Sequence, residues 1–103
     1  MMQECQIPRE EILPGAVHVR LEGAARSLER AREAASSLAH TYGANPELIS
    51  WYDRGHQDFS PREECKEGLP GWVAYARAHG GSLTVDVNHE EYVFIFRGVG
   101  LFP

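Results

Sequence analysis

The hydrophobic pattern changes period several times along the chain, and each change marks an element. Ala16 to Leu21 (AVHVRL) alternates, with Val17, Val19 and Leu21 on one side and His18 and Arg20 on the other, as a half-buried strand does. From Gly23 to Tyr42 the period becomes helical. Leu21, Ala24, Ala25, Leu28, Ala31, Ala35, Leu38, Ala39 and Tyr42 fall on one stripe, with Glu22, Arg26, Glu29, Arg30, Glu33 and Ser37 off it. The stripe is rich in alanine, so the helix can approach a sheet closely. Gly43 is the expected C-terminal cap, and Pro46 closes the exit.

Glu47 to Asp53 (ELISWYD) reads as a second strand, with Ile49, Trp51 and Asp53 facing one way and Leu48, Ser50 and Tyr52 the other. Strand, helix and strand with short connections predict a right-handed crossover that places the helix on one sheet face. SLTVDV and EYVFIF flank the turn residues Asn88 to Glu91 and predict an antiparallel hairpin. With an even loop, Val87 pairs with Tyr92, Val85 with Phe94 and Leu83 with Phe96, and all six side chains share the core face. Thr84, Asp86, Val93 and Ile95 then form the opposite face. It is half apolar, so it needs cover from a helix or a second subunit, and it is the candidate interface. Pro70 to Gly81 (PGWVAYARAHGG) supplies possible cover as a short helix, although Trp72, Val73 and Tyr75 could also begin a strand. The expected class is α+β: a small two-layer sandwich of about four strands, with one long helix on one face and a second short helix, in the order β-α-β-α-β-β.

Composition adds limits. A chain of 103 residues suffices for one core without metal or disulfide staples. Residues 16–103 are expected as a single domain, and residues 1–15, with Pro8, Pro14 and Gly15, as a loosely ordered arm. No apolar run approaches a bilayer span and the N-terminus lacks the form of a secretory signal, so the expectation is a cytoplasmic protein with no membrane partner. In that compartment Cys5 and Cys65 are expected to remain thiols. The net charge of -5, from 10 basic and 15 acidic residues, argues against a nucleic-acid partner. Arg26, Arg30 and Arg32 alternate with Glu22, Glu29 and Glu33, the pattern of a solvated helix face.

Chemistry-bearing residues concentrate in Ser50 to Cys65 (SWYDRGHQDFSPREEC). Ser60, Pro61 and Glu63 have the form of a capping box, which predicts a single helical turn ending at Gly68. Cys65 lies among Glu63, Glu64 and Glu67, an electrostatic field that disfavours a reactive thiolate. Asp53, His56, Asp58 and Cys65 are metal-donor types, but their spacing matches no zinc or calcium signature, so no metal or other cofactor is assigned. His18, His40, His79 and His89 are scattered and each has a structural explanation. The aromatics are the better lead: Trp51, Asp53, His56, Asp58, Trp72 and Tyr75 make up the candidate pocket.

ISWYDR, GWVAYARAHGGSLTVDVN and EYVFIF together resemble a family of small uncharacterised prokaryotic α+β domains, over about residues 15–97. The resemblance implies a helix-on-sheet fold and no assigned activity. Two functions are weighed. The first is a binding or interaction module that associates with itself or a protein partner through Thr84, Asp86, Val93 and Ile95. The second is a small enzyme or a small-molecule or metal-binding protein that uses the Asp53, His56 and Asp58 loop with its neighbouring aromatics, Asp53 or His56 acting as acid or base.

Overall fold

A computed structural model describes residues 4–13, 15–23 and 27–99. Its elements are β1 (Val17–Val19), α1 (Leu28–Ala39), β2 (Glu47–Asp53), β3 (Asp58–Ser60), α2 (Gly71–Ala78), β4 (Leu83–Val87) and β5 (Tyr92–Arg97), preceded by 3-10 turns at Glu4–Gln6 and Glu10–Ile12. The five strands form one sheet in the order β1-β4-β5-β2-β3. β1 runs parallel to β4, and the other neighbouring pairs are antiparallel. β1, β4 and β2 therefore point the same way, and the β1-α1-β2 connection crosses over β4 and β5.

The hairpin has the register its alternation predicts: Leu83 opposite Phe96, Val85 opposite Phe94 and Val87 opposite Tyr92. These six side chains are buried against Ala31, Ala35 and Ala39 of α1. Alanine at the three contact positions brings the helix axis close to the sheet, so the aromatic rings of β5 fill the space that larger helix residues would otherwise occupy. Ser27 caps the helix by accepting from the Arg30 N–H. The expected start of the helical stripe at Ala24 and Ala25 lies outside the described residues. The exit is not the expected Gly43 cap: His40 is the C-cap, and the Thr41 hydroxyl and the His40 ring bond back to the carbonyls of Leu38 and Ser36. Tyr42, past the end of the helix, is exposed.

The opposite sheet face is covered within the same chain. Val93 and Ile95 are buried with Tyr52 and Phe59 under Trp72, Val73 and Ala76 of α2 and Leu13 of the N-terminal segment. This corrects the interface expectation. Of Thr84, Asp86, Val93 and Ile95, the last three are buried and Thr84 is half-buried, so no open apolar face remains there for a second subunit. Helices on both faces also add a third layer to the expected sandwich.

Four further expectations change. The capping-box turn is absent: Asp58–Ser60 forms a fifth strand because Phe59 points into the core opposite Tyr52, and pairing to β2 holds it extended. A bulge between Leu48 and Ser50 breaks the alternation in β2, so Leu48 joins Trp51 on the α1 side while Ile49 and Ser50 face α2. The expected loose arm is docked over residues 4–13. Gln6 is buried, with its side chain donating to the Glu63 carbonyl and accepting from the Gly71 N–H, while its own carbonyl accepts from Trp72 Nε1. Cys5 and Cys65 are joined by a disulfide, so they are not the free thiols expected.

Gly71 shows how tightly this corner is built, since a Cβ there would lie 2.0 Å from the Glu63 carbonyl oxygen and 2.4 Å from that of Glu64. Gly71→Ala is expected to lower stability by about 1–3 kcal/mol through overpacking against backbone that cannot swing aside. Urea unfolding checks this, and an unchanged midpoint would show that the corner yields.

Candidate ligand-binding site

The antiparallel β2–β3 hairpin turns through residues 54–57, and Asp53 organises the turn. Its carboxylate is buried, accepts from the His56 N–H at 3.3 Å, and meets His56 Nδ1 at 2.8 Å. The imidazole itself stays 77% exposed. A buried carboxylate bonded to Nδ1 fixes the ring and leaves Nε2 directed away as a lone-pair acceptor in the neutral form. Asp58 sits opposite Asp53 in the pairing, accepts from the Phe59 N–H, and is held by Arg62.

Strand register divides the six candidate pocket residues. Trp51, Asp53 and Asp58 share the α1 side of the sheet, and His56 joins them through Asp53. Trp72 lies on the other side, fully buried and stacked on Tyr52 with ring centroids 5.3 Å apart. Tyr75 stacks on His79 at the outside of α2, toward Arg97. Arg97 pairs with Glu47 at the opposite end of β2, about 20 Å along the strand from Asp53. Trp72 and Tyr75 are therefore not part of one pocket with Trp51.

What replaces that pocket is a groove beside α1. The helix lies over β4 and β5 and stops short of β2, so Trp51 is only half-buried. A cavity of about 360 Å³ opens there, lined by Leu28, Glu29 and Arg32 of α1, with Trp51 and Phe94 from the sheet. Leu28 and Phe94 make the walls apolar, and Glu29 and Arg32 bring opposite charges to the rim. Neighbouring rows on the sheet thus carry an indole surface and the Asp53–His56 pair. The α1 contribution could have been foreseen from the i, i+1 and i+4 spacing of Leu28, on the edge of the apolar stripe, with Glu29 and Arg32 beside it. The Asp53–His56 contact follows from an Asp-x-Gly-His turn.

A second polar cluster, on the α2 side of the same sheet end, is built around Asp86, which sequence reasoning named as an interface residue. Asp86 is buried, accepts from the Glu90 N–H, and faces His18 Nδ1 at 3.5 Å. Arg54 reaches across to donate to the Glu90 carbonyl and pair with its carboxylate. Asn88, His89 and Glu90 all have positive φ, a left-handed run held by the Asn88 amide bonding both the N–H and the carbonyl of Leu21. Burial and the neighbouring Asp86 raise the Glu90 pKa above the ordinary glutamate range, with Arg54 partly offsetting them. Burial also raises the Tyr52 phenol, whose hydroxyl has no hydrogen-bond partner among the described residues.

The Glu90 shift fixes a sign. A carboxyl whose folded pKa exceeds its unfolded value binds protons more tightly when folded, so its contribution to stability rises as pH falls through the folded pKa toward the unfolded one. At neutral pH the ionised group destabilises the fold. Glu90→Gln is expected to raise the melting temperature at pH 7 and to remove this gain on acidification. Scanning calorimetry from pH 4 to pH 7 checks it, and a lower melting temperature for the variant at pH 7 would contradict it.

Among the described residues no three His, Cys, Asp or Glu side chains are grouped to hold a metal ion, and the disulfide removes Cys65 from the donor set considered for the loop. Likewise, no described helix is long and apolar enough to cross a membrane.

The fold and this end of the sheet can be compared with known proteins. AF1514 from Archeoglobus fulgidus DSM 4304, described as a novel protein, is 32% identical, with a TM-score of 0.67 over 80% of this chain and 91% of its own. No curated protein matches. A family model covers residues 14–96, a span that contains the groove, the Asp53–His56 pair and the Asp86 cluster but not the docked segment 4–13. No specific activity follows from these likenesses. The chain belongs to the family described as a domain of unknown function, DUF5619.

Proposed function

We propose that this protein is a small-molecule-binding domain whose ligand lies in the groove between α1 and β2. Covering the Val93 and Ile95 face within one chain leaves the self-association reading without its surface, and the binding reading is the stronger of the two. The observation that carries it is a half-buried indole, Trp51, flooring an apolar cavity of about 360 Å³, two residues along β2 from a buried carboxylate that presents an oriented imidazole. An indole face favours a flat π-system. His56, with its Nδ1 proton directed at Asp53, offers an acceptor at Nε2. The preferred ligand is accordingly a planar heteroaromatic molecule bearing an N–H donor. Glu29 against Arg32, and Asp58 against Arg62, leave the surroundings close to neutral, so net charge on the ligand is not required.

A panel of purines, pyrimidines, aminopyridines and benzimidazoles, titrated while tryptophan emission is read, tests this. Binding is expected to quench emission and to weaken at least tenfold in Trp51→Ala, a loss of about 1.4 kcal/mol. It is also expected to weaken in Asp53→Asn, which frees the His56 ring. Binding that survives Trp51→Ala, or a panel without any binder, would overturn the reading.

A further inference from the structure

The docked segment lies outside the family match and does not contribute to the groove. Its attachment is concentrated at one end. Gln6 bonds the Glu63 carbonyl, the Gly71 N–H and Trp72 Nε1, and the neighbouring Cys5 is tied covalently to Cys65. Beyond Gln6 the segment rests on the α2 side through Ile12 and Leu13, and Arg77 donates to the Ile12 carbonyl. It is not pressed flat: a crevice of about 570 Å³ runs beside it, lined by Glu4, Cys5, Ile7, Arg9, Ile12, Gly68 and Pro70. Cys5 is exposed and Cys65 half-exposed, so the disulfide can be reached from solvent. Among the described residues, none of this segment belongs to the α1-side core.

We propose that Cys5–Cys65 is a redox latch that locks residues 4–13 over α2, and that a dithiol protein of the thioredoxin class opens it. One thiolate of the dithiol attacks a cysteine sulfur, breaking the Cys5–Cys65 bond and forming a mixed disulfide. Its second thiol then displaces the bound cysteine. Two electrons and two protons pass to Cys5 and Cys65, which become thiols, while the dithiol becomes a disulfide. Once opened, the segment is held without a covalent tie, by the Gln6 bonds, the buried Pro8, the Ile12 and Leu13 contacts and the Arg77 bond to the Ile12 carbonyl. Its release leaves the Gly71 N–H and Trp72 Nε1 to water, and the α2 face that it shields becomes available.

The test uses Trp51→Phe protein, so that Trp72 is the sole indole, in fully oxidised form and after reduction by thioredoxin or by a phosphine, with thiol titration as the check. Reduction is expected to shift Trp72 emission to the red and to leave the Gly71 amide exchanging roughly tenfold or more faster than the Val85 and Phe94 amides, whose protection falls only as far as global stability does. Unchanged emission and exchange in fully reduced protein would make the bond a staple only and overturn the latch. Equal protection at Gly71, Val85 and Phe94 in the reduced protein would also overturn it, because the opening would then be global. Failure of thioredoxin where the phosphine succeeds would overturn the assigned partner.

Discussion

Replacing both cysteines with alanine is expected to lower the stability of the protein by about 4 kcal/mol and its melting temperature by roughly 15–20 °C. The estimate comes from the sequence separation of 60 residues between Cys5 and Cys65. A cross-link closing so long a loop removes much of the unfolded chain's freedom, and without it the unfolded state regains that entropy. The bond also ties residues 4–13 to the segment between β3 and α2, where Gln6 adds its bond to the Glu63 carbonyl. Denaturant unfolding of the Cys5→Ala, Cys65→Ala double variant checks the figure. A loss below about 1 kcal/mol would mean that the unfolded chain is already restricted around this loop.

Trp72→Ala is expected to cost about 3–5 kcal/mol, the largest effect of any single side chain. Trp72 is fully buried, stacks on Tyr52 and covers the Val93 side of the sheet. Its Nε1 also donates to the Gln6 carbonyl at 3.0 Å, so truncation leaves a cavity and an unsatisfied acceptor together. Trp72→Phe keeps a ring in the stack but removes the donor, and its cost is expected near 1–2 kcal/mol. Comparing the two variants in urea separates the contributions. Equal losses would show that the hydrogen bond, and not the buried ring, dominates.

Much of the fold was legible wherever the pattern was long or the loop short. α1 was readable because its alanine positions recur over three turns, and the β4–β5 register because a four-residue turn leaves one parity. β3 was not, since Asp58-Phe59-Ser60 is too short to show alternation and runs into a serine, proline and glutamate spacing that imitates a helix start. The choice there was made by Phe59 finding Tyr52 across the hairpin, a contact no local signal records. The β2 bulge is equally silent in sequence, yet it decides which side chains accompany Trp51. In the candidate site, Trp51, Asp53, His56 and Asp58 were found by residue type and proximity in the chain. Trp72 and Tyr75 were grouped with them because clustering in sequence says nothing about which sheet face a helix will occupy. The disulfide was missed for a different reason, because compartment and core size were used to decide it and the pairing depends on Gln6 anchoring Cys5 beside Cys65.

The groove can be tested by ¹⁵N NMR of the wild-type protein with the heteroaromatic panel, because its two indole N–H signals report from opposite sheet faces. A binder is expected to move the Trp51 indole and the His56 ring nitrogens together while the Trp72 indole stays in place. Movement of the Trp72 signal with Trp51 unmoved would place binding on the α2 face and contradict the assignment of the groove.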